Sequence, residues 1–285
     1  ERCYLADLNL NDYLGTNPSN KTEVGVSLNI SGSVLLDLLA HKDDAIASKL
    51  IAGFREVNRK SISRLGTTNL MMQGSIFHSI VPLLPKESQQ LQYAWSRSLF
   101  EYFFGNEPSG VWLPEQAYDS SSLELIAGGS DSWTVLPQWV APPGTNTSTP
   151  YKVAAGNTDL RVFLYDKLLS DAISWKRAGW DFAHMIKNHN SHNAFAWVLA
   201  MDLETFGEHG RNEKERHDGP WLLNNLLYYQ VPQENYLALP IQAALNASEP
   251  DKESRIDIAD SGSWSCLCIR KKWDIQWELS ARGKL

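Results

Sequence analysis

Apolar runs with helical spacing alternate along the chain with short apolar runs that are typical of strands. The longest helical pattern repeats apolar residues three and four positions apart between residues 43 and 64. The predicted helices cover residues 34–40, 43–64, 87–104, 120–127 and, with a break near Gly179, 168–189. The predicted strands cover residues 23–29, 69–72, 110–113, 133–140, 160–165 and 194–201.

This alternation of about six strands with helices indicates an α/β fold with a parallel sheet, which is either open or closed into a barrel. The run 194–201 (AFAWVLAM) is almost continuously apolar, and we expect it to be a fully buried parallel strand. Both kinds of α/β fold place their chemistry beyond the carboxyl ends of the strands. Glu115 and Asp202 directly follow predicted strands, so they are the first candidates for catalysis.

Composition and charge exclude several classes of protein. The formal net charge of −7 argues against a nucleic-acid partner, which usually requires a basic surface. No apolar run approaches the roughly 18 residues of a membrane span, and no secretory leader is visible, so we expect a soluble protein without a membrane partner. The odd number of cysteines, 3, fits a reduced, cytoplasmic compartment.

The first candidate motif is Gly110-Val-Trp-Leu-Pro-Glu115, a short apolar strand that ends in a carboxylate. Pro114 takes the backbone out of strand pairing at this point. A glutamate in such a place can act as a nucleophile. For this pattern taken alone, a glutamate in the first turn of a helix, where the macrodipole favours a negative charge, is the commoner case.

The second candidate motif is the apolar run that leads into Asp202, followed by Glu204, Glu208 and His209. In such a cluster of like charges one carboxyl group stays protonated near neutral pH and can serve as a general acid. A metal site and a solvated acidic loop are the alternatives. No tight ligand motif such as H-E-x-x-H is present, so we expect neither a metal nor a cofactor.

Both motifs resemble signature regions of family 57 glycoside hydrolases, which include α-amylases, amylopullulanases, branching enzymes and 4-α-glucanotransferases. Trp112-Leu-Pro-Glu115 is similar to the third region, and Met201-Asp-Leu-Glu-Thr-Phe-Gly-Glu-His209 is similar to the fourth. The resemblance implies an incomplete (β/α)7 barrel, a distorted relative of the TIM barrel. It also implies a retaining reaction on α-1,4 or α-1,6 linkages of α-glucans, with Glu115 as nucleophile and Asp202 as general acid/base.

Further matches imply residues that bind the sugar. Phe77-His-Ser-Ile-Val-Pro-Leu-Leu84 is similar to a Y-H-x-x-x-P-L-L stretch of some members, and Ser263-Trp-Ser-Cys266 resembles the fifth region of some subgroups. The implied substrate-binding residues are His78, Trp112, Glu204, His209 and Trp264. The pattern is also compatible with a capped histidine at position 78 and with a core tryptophan at position 112.

The sequence departs from the family pattern in three places. It begins where the segment after the first barrel strand is expected, so the His-Gln-Pro motif of that strand has no counterpart. The glutamate of the second region, expected near Asn69-Leu70, is absent, and the helical region after Asp251 is short. We expect residues 1–249 to form the catalytic part of the barrel and residues 250–285 to form a C-terminal segment.

These departures keep two other functions open. One is a catalytically inactive carbohydrate-binding homologue, or a fragment of such an enzyme. The other is a metal-dependent polysaccharide deacetylase that uses Asp202, His209 and another histidine as ligands.

Overall fold

The computed structural model describes residues 25–129, 133–175, 181–189, 195–206, 208–209, 212–248 and 253–264. The described residues fall into two compact units. Those within Glu1–Leu28, Leu36–Leu70 and Asp166–Ser248 belong to the first unit. Those within Asn29–Leu35, Met71–Tyr165 and Glu249–Leu285 belong to the second.

The strands of the described chain are β1 Leu28–Asn29, β2 Leu70–Gln73, β3 Val111–Trp112, β4 Tyr118–Asp119, β5 Trp133–Pro137, β6 Tyr151–Ala155, β7 Thr158–Tyr165 and β8 Ser261–Gly262. Six of them form one sheet in the order β1-β2-β3-β5-β7-β6, and β4 pairs with β8 in a separate antiparallel ribbon. The pairs β2–β3, β3–β5 and β5–β7 are parallel, whereas β6 and β7 form an antiparallel hairpin. The protein therefore has a mixed α/β fold with a mainly parallel central sheet, as the sequence predicts.

The α-helices of the described chain are α1 Gly32–Ala40, α2 Ala45–Leu65, α3 Lys86–Phe104, α4 Ser120–Ala127, α5 Lys167–Ser174, α6 Phe182–Asn188, α7 Glu213–His217, α8 Gly219–Asn225, α9 Val231–Gln233 and α10 Ile241–Ala247. Local sequence sets their ends. Asp44 caps α2 by accepting a hydrogen bond from the Ile46 amide at 2.8 Å, and Gly66 ends this helix with φ 71°. None of these helices is long and apolar enough to span a bilayer.

The core of the second unit lies on the strands. Every residue of β5 is buried, and Thr134 donates a hydrogen bond from Oγ1 to the Val111 carbonyl oxygen at 2.7 Å. Gly110 allows Trp133 to pack against the backbone, because a Cβ atom at position 110 would lie 2.3 Å from the indole Cε2. In the first unit, α5, α6, α8 and their neighbours enclose an apolar cluster of Leu169, Ile173, Phe182, Ile186, Phe206, Leu222, Leu223, Leu226 and Leu227.

The prediction of a buried strand at residues 194–201 is wrong. Within 195–201, Val198 alone takes part in a bridge, and it is also the one buried residue of this stretch. Its carbonyl oxygen accepts a hydrogen bond from the Asp166 amide at 2.8 Å. Trp197, Leu199 and Met201 instead pack their side chains against the apolar cluster of the first unit. The apolar run therefore reflects packing against a helical core, which periodicity does not distinguish from a buried strand.

Three other boundaries differ from the prediction. The strand predicted at 133–140 ends at Pro137, and a 3₁₀ turn, Gln138–Val140, follows it. The helix at 168–189 consists of α5 and α6, and residues 176–180 between them lie outside the described chain. The strand at 23–29 is reduced to Leu28–Asn29 within the described residues. The hairpin strand β6 was not predicted.

Candidate active site

Glu115 lies just beyond the carboxyl end of β3 in an unusual backbone conformation. Pro114–Gln116 is a 3₁₀ turn, closed by a 2.8 Å hydrogen bond from the Gln116 amide to the Leu113 carbonyl oxygen. Glu115 has φ 56° and ψ 17°, and Gln116 has φ 47°. This left-handed region costs a residue other than glycine about 1–3 kcal/mol, and such conformations cluster at functional sites. The turn redirects the chain at the point where the carboxylate leaves the sheet.

The Glu115 carboxylate is held by an indole group. Trp264 donates a hydrogen bond from Nε1 to Oε2 of Glu115 at 2.7 Å, and its backbone amide donates to the Glu115 carbonyl oxygen at 3.1 Å. The Trp264 ring meets the Trp112 ring edge to face, with centroids 5.8 Å apart. The Glu115 side chain keeps 25% exposure, so it remains accessible to a ligand. The structure thus brings together three predicted site residues.

His78, a fourth predicted site residue, lies on the other side of the carboxylate. Its Nε2 atom is 3.7 Å from Oε1 of Glu115. Gln73, at the end of β2, donates a hydrogen bond from Nε2 to His78 Nδ1 at 2.6 Å. An accepting Nδ1 places the proton of a neutral imidazole on Nε2, which faces Glu115. The proton position is assigned from this hydrogen bond.

Gln73 is a site residue that sequence reasoning missed, and Gln116, next to Glu115, is a buried polar residue that it also missed. Gln73 is 2% exposed, and its carbonyl oxygen accepts a hydrogen bond from the Ser96 hydroxyl. Gln116 is fully buried, and its side-chain amide makes no hydrogen bond within the described structure. The strand-end rule could have identified Gln73, which directly follows the predicted strand 69–72. No sequence signal distinguishes Gln116 from an ordinary loop residue.

Residues 253–264, called the docked segment from here on, carry Trp264 to the site. The Lys152 amide on β6 donates to the Ser254 carbonyl oxygen, and the Ile256 amide donates back to Lys152, both at 3.0 Å. Arg161 on β7 forms a two-point ion pair with Glu253, whose side chain is 3% exposed. The start of the segment is therefore attached to the β6–β7 hairpin.

The end of the docked segment is attached close to Glu115. Its strand β8 pairs with β4, which begins three residues after Glu115. Tyr118 donates its hydroxyl proton to the Ala259 carbonyl oxygen at 2.8 Å, and burial raises the pKa of this phenol. Trp139 donates from Nε1 to the Ser263 carbonyl oxygen at 3.1 Å. These contacts fix the backbone immediately before Trp264.

Asp202, Glu204 and His209 belong to the first unit, where they lie on one solvent-exposed turn. A 3₁₀ turn, Leu203–Phe206, follows Asp202, and the Thr205 amide donates to the Asp202 carbonyl oxygen at 3.0 Å. The Glu204 carbonyl oxygen accepts from the amides of residues 208 and 209 at 2.8 and 2.9 Å. Phe206 is buried in the apolar cluster of the first unit and anchors this turn.

Among the described residues, no group of three or more His, Cys, Asp or Glu side chains is arranged to hold a metal ion. His192 and the three cysteines, Cys3, Cys266 and Cys268, lie outside the described chain.

A carboxylate beyond the carboxyl end of a parallel strand lies where α/β enzymes place their chemistry. The chain is a member of glycosyl hydrolase family 57, whose sequence model matches residues 1–239. None of the curated proteins matches the sequence.

Solved structures of family members share the fold. The 4-α-glucanotransferase from Thermococcus litoralis is 16% identical, with a TM-score of 0.69 over 99% of this chain and 43% of its own. The exo-type maltose-forming amylase from Pyrococcus sp. ST04 is 17% identical, with a TM-score of 0.64 over 92% of this chain and 43% of its own. The branching enzyme from Pyrococcus horikoshii is 15% identical, with a TM-score of 0.62 over 85% of this chain and 55% of its own. The chain thus spans about half the length of these proteins or less, and at such identities the likeness shows the fold alone.

Proposed function

We propose that the chain is the catalytic part of a retaining glycoside hydrolase or transglycosylase that acts on α-1,4 or α-1,6 linkages of α-glucans. Glu115 is the nucleophile and Asp202 is the general acid/base. The observation that carries the proposal is the position of the Glu115 carboxylate. It lies beyond a parallel strand in a left-handed turn and accepts a hydrogen bond from the Trp264 indole N–H. Family membership supports the reaction class.

The reaction has two steps. In the first, the Glu115 carboxylate forms a bond with the anomeric carbon while the glycosidic bond breaks, and the leaving oxygen takes the proton of the Asp202 carboxylic acid. In the second, the Asp202 carboxylate removes a proton from water or from a sugar hydroxyl, whose oxygen displaces Glu115 from the anomeric carbon. Water as acceptor gives hydrolysis, and a sugar hydroxyl gives transfer.

An α-glucan is the proposed substrate because the structurally similar family members carry names that refer to α-glucan chemistry. Trp112 is partly exposed beside the nucleophile and offers an aromatic face for a glucose ring. His78, half exposed, can donate a hydrogen bond to a sugar hydroxyl from Nε2. Glu204 and His209 are exposed polar groups that can contact the sugar from the turn beyond Asp202.

The incomplete (β/α)7 barrel belongs to this proposal as the architecture of the whole catalytic domain. Residues 1–249 supply both proposed catalytic carboxylates. The part of 250–285 that the structure describes, the docked segment, supplies the partner of Glu115. A cytoplasmic location stays a prediction.

The test is a product assay on the full chain with maltoheptaose and with a branched α-glucan. We expect the wild type to form shorter or longer oligosaccharides, and Glu115→Gln and Asp202→Asn to form none. Glu107→Gln is the matched control, because its carboxylate is 60% exposed and pairs with Arg97 instead of serving the site. Trapping with 5-fluoro-α-glucosyl fluoride adds a glycosyl mass to the peptide that contains Glu115. Products that survive Glu115→Gln would refute the assignment of the nucleophile.

A carbohydrate-binding protein without turnover is the second candidate. Asn69 and Leu70 stand where the resemblance expects a glutamate, and both are buried, with 0% and 1% exposure. This position therefore offers no carboxylate. Calorimetric binding of maltoheptaose, together with no product from wild type or Glu115→Gln, would favour this candidate over the enzyme.

A further inference from the structure

We propose that Trp264 is a positioning residue, which holds the Glu115 carboxylate ionised and oriented for attack through the indole N–H. The proposal rests on the proposed function of Glu115. It changes the role that the sequence resemblance implies for Trp264, which is contact with the sugar. It also makes the docked segment part of the catalytic machinery.

The first argument is chemical. An indole N–H can only donate, so its 2.7 Å contact with Oε2 requires an oxygen that accepts. An ionised carboxylate accepts more strongly than a carboxylic acid, so the contact favours the ionised form, which is the nucleophile. The indole donor also keeps its partner in the intermediate, in which Glu115 is esterified by the sugar, because an ester carbonyl oxygen still accepts a hydrogen bond.

The second argument is that the donor is fixed before any substrate binds. The Trp264 amide is bonded to the Glu115 carbonyl oxygen, so the two residues are joined through backbone and side chain alike. The Trp264 ring packs edge to face on Trp112, and Trp139 holds the carbonyl oxygen of residue 263. A donor that is held in this way stabilises the carboxylate without reorganisation during the reaction.

A second group acts on the charge of Glu115. His78 Nε2 lies 3.7 Å from Oε1, and the N–H that it carries also favours the ionised carboxylate. The effect of the indole N–H must therefore be separated from that of the imidazole. Each Trp264 variant is compared with wild type in two backgrounds, with His78 intact and with His78→Gln.

The experiment measures kcat and KM for maltoheptaose across pH in wild type and in Trp264→Phe, which keeps an aromatic ring and removes the donor. Because the variant loses a hydrogen bond to a charged group, we expect kcat to fall about 10- to 100-fold. The acidic limb of the kcat/KM profile moves to higher pH by about one unit. KM stays close to wild type. A raised KM with an unmoved acidic limb would instead assign Trp264 to sugar contact and overturn the proposal.

Trp139→Phe is the matched control. It removes an indole N–H that binds the same segment, at Ser263, without touching Glu115. We expect its acidic limb to move clearly less than that of Trp264→Phe, because the Trp264 amide and indole N–H still bind Glu115. An equal shift in both variants would mean that loosening of the docked segment causes the effect, which contradicts a direct role of the Trp264 N–H.

Folding and function are separated by two further measurements. If thermal unfolding shows that Trp264→Phe is destabilised, 3-benzothienylalanine at position 264 keeps the bicyclic shape and lacks the N–H, and it must give the same shift. A wild type that forms no Glu115-dependent product overturns the proposed function, and this proposal with it. An active wild type whose profile equals that of both Trp264 variants overturns the role of Trp264 alone.

Discussion

Replacement of Arg161 by glutamine tests whether the docked segment is attached as the structure indicates. Arg161 contacts Glu253 through two nitrogens, with Nε 3.0 Å from Oε2. The Glu253 side chain is 3% exposed and that of Arg161 is 26% exposed, so the pair is largely shielded from water. Arg161→Gln removes the positive charge and keeps a polar side chain of similar reach.

The expected cost follows from this burial. Removal of one partner from a buried ion pair costs about 3–5 kcal/mol, and the partial exposure of Arg161 places the expected value at the lower end, about 3 kcal/mol. A cost confined to the docked segment raises the population in which that segment is detached about 100-fold. The segment should therefore open locally well before the sheet unfolds.

Hydrogen exchange measured by mass spectrometry distinguishes local from global opening. The amides of Ile256 and Ala259 donate to the carbonyl oxygens of Lys152 and Val140, so they report attachment of the segment. In Arg161→Gln we expect their exchange to accelerate up to about 100-fold, while amides in β5 keep the wild-type rate. Enzymatic activity should fall only as far as the attached fraction falls, because the attached segment carries Trp264.

Arg59→Gln is the control for this prediction. Arg59 binds Glu56 through the same two-point geometry, at 2.8 and 2.7 Å, but both side chains are exposed on α2. We expect unchanged exchange at Ile256, because solvent screens the exposed pair. The reasoning is refuted if Arg161→Gln leaves the exchange of the segment unchanged, or if both variants accelerate it equally.

Three further predictions concern the second unit. Burial raises the pKa of Tyr118, so the phenol loses its proton at lower pH in the unfolded chain than in the folded protein. The stability that the neutral phenol contributes is complete below the unfolded pKa of about 10 and is lost as pH rises towards the folded pKa. Urea titrations above pH 10 should therefore show stability falling less steeply in Tyr118→Phe than in the wild type, and equal slopes would contradict this. Gly110→Ala places a Cβ atom 2.3 Å from Trp133 Cε2, so we expect a loss of about 1–3 kcal/mol in the free energy of unfolding, measured by denaturant titration. Gln73→Leu removes the donor to His78 Nδ1, and kcat/KM for maltoheptaose should fall about tenfold while the Tm changes little; an unchanged kcat/KM would exclude this donor from the site.

The sequence predicted helices better than strands, for a physical reason. The helix at 120–127 has the predicted bounds because its signals are local, with Asp119 and Ser122 forming a capping box. The apolar run 194–201 has no comparable signal, and its side chains pack on helices that lie elsewhere in the chain. The hairpin of β6 and β7 could have been predicted, since Gly156 with φ 59° forms its turn between two alternating stretches.

The sequence predicts those site residues that directly follow a single strand. Glu115 was found because a short apolar strand leads directly to it, and the structure confirms its place after β3. The hydrogen bond from Trp264 could not be found in this way, because no local pattern specifies the register of β8 against β4. The left-handed conformation of Glu115 could not be predicted either, because the turn contains no glycine or asparagine, the residues that usually adopt a positive φ.

The separation of Glu115 and Trp264 along the chain has a consequence for biosynthesis. The two residues are 149 positions apart, so at a synthesis rate of about 5–20 residues per second the indole is made about 7 to 30 s after the carboxylate. During that interval the parallel strands can pair while Glu115 lacks the indole donor. Under the proposed function, the carboxylate is therefore positioned only after most of the fold has formed.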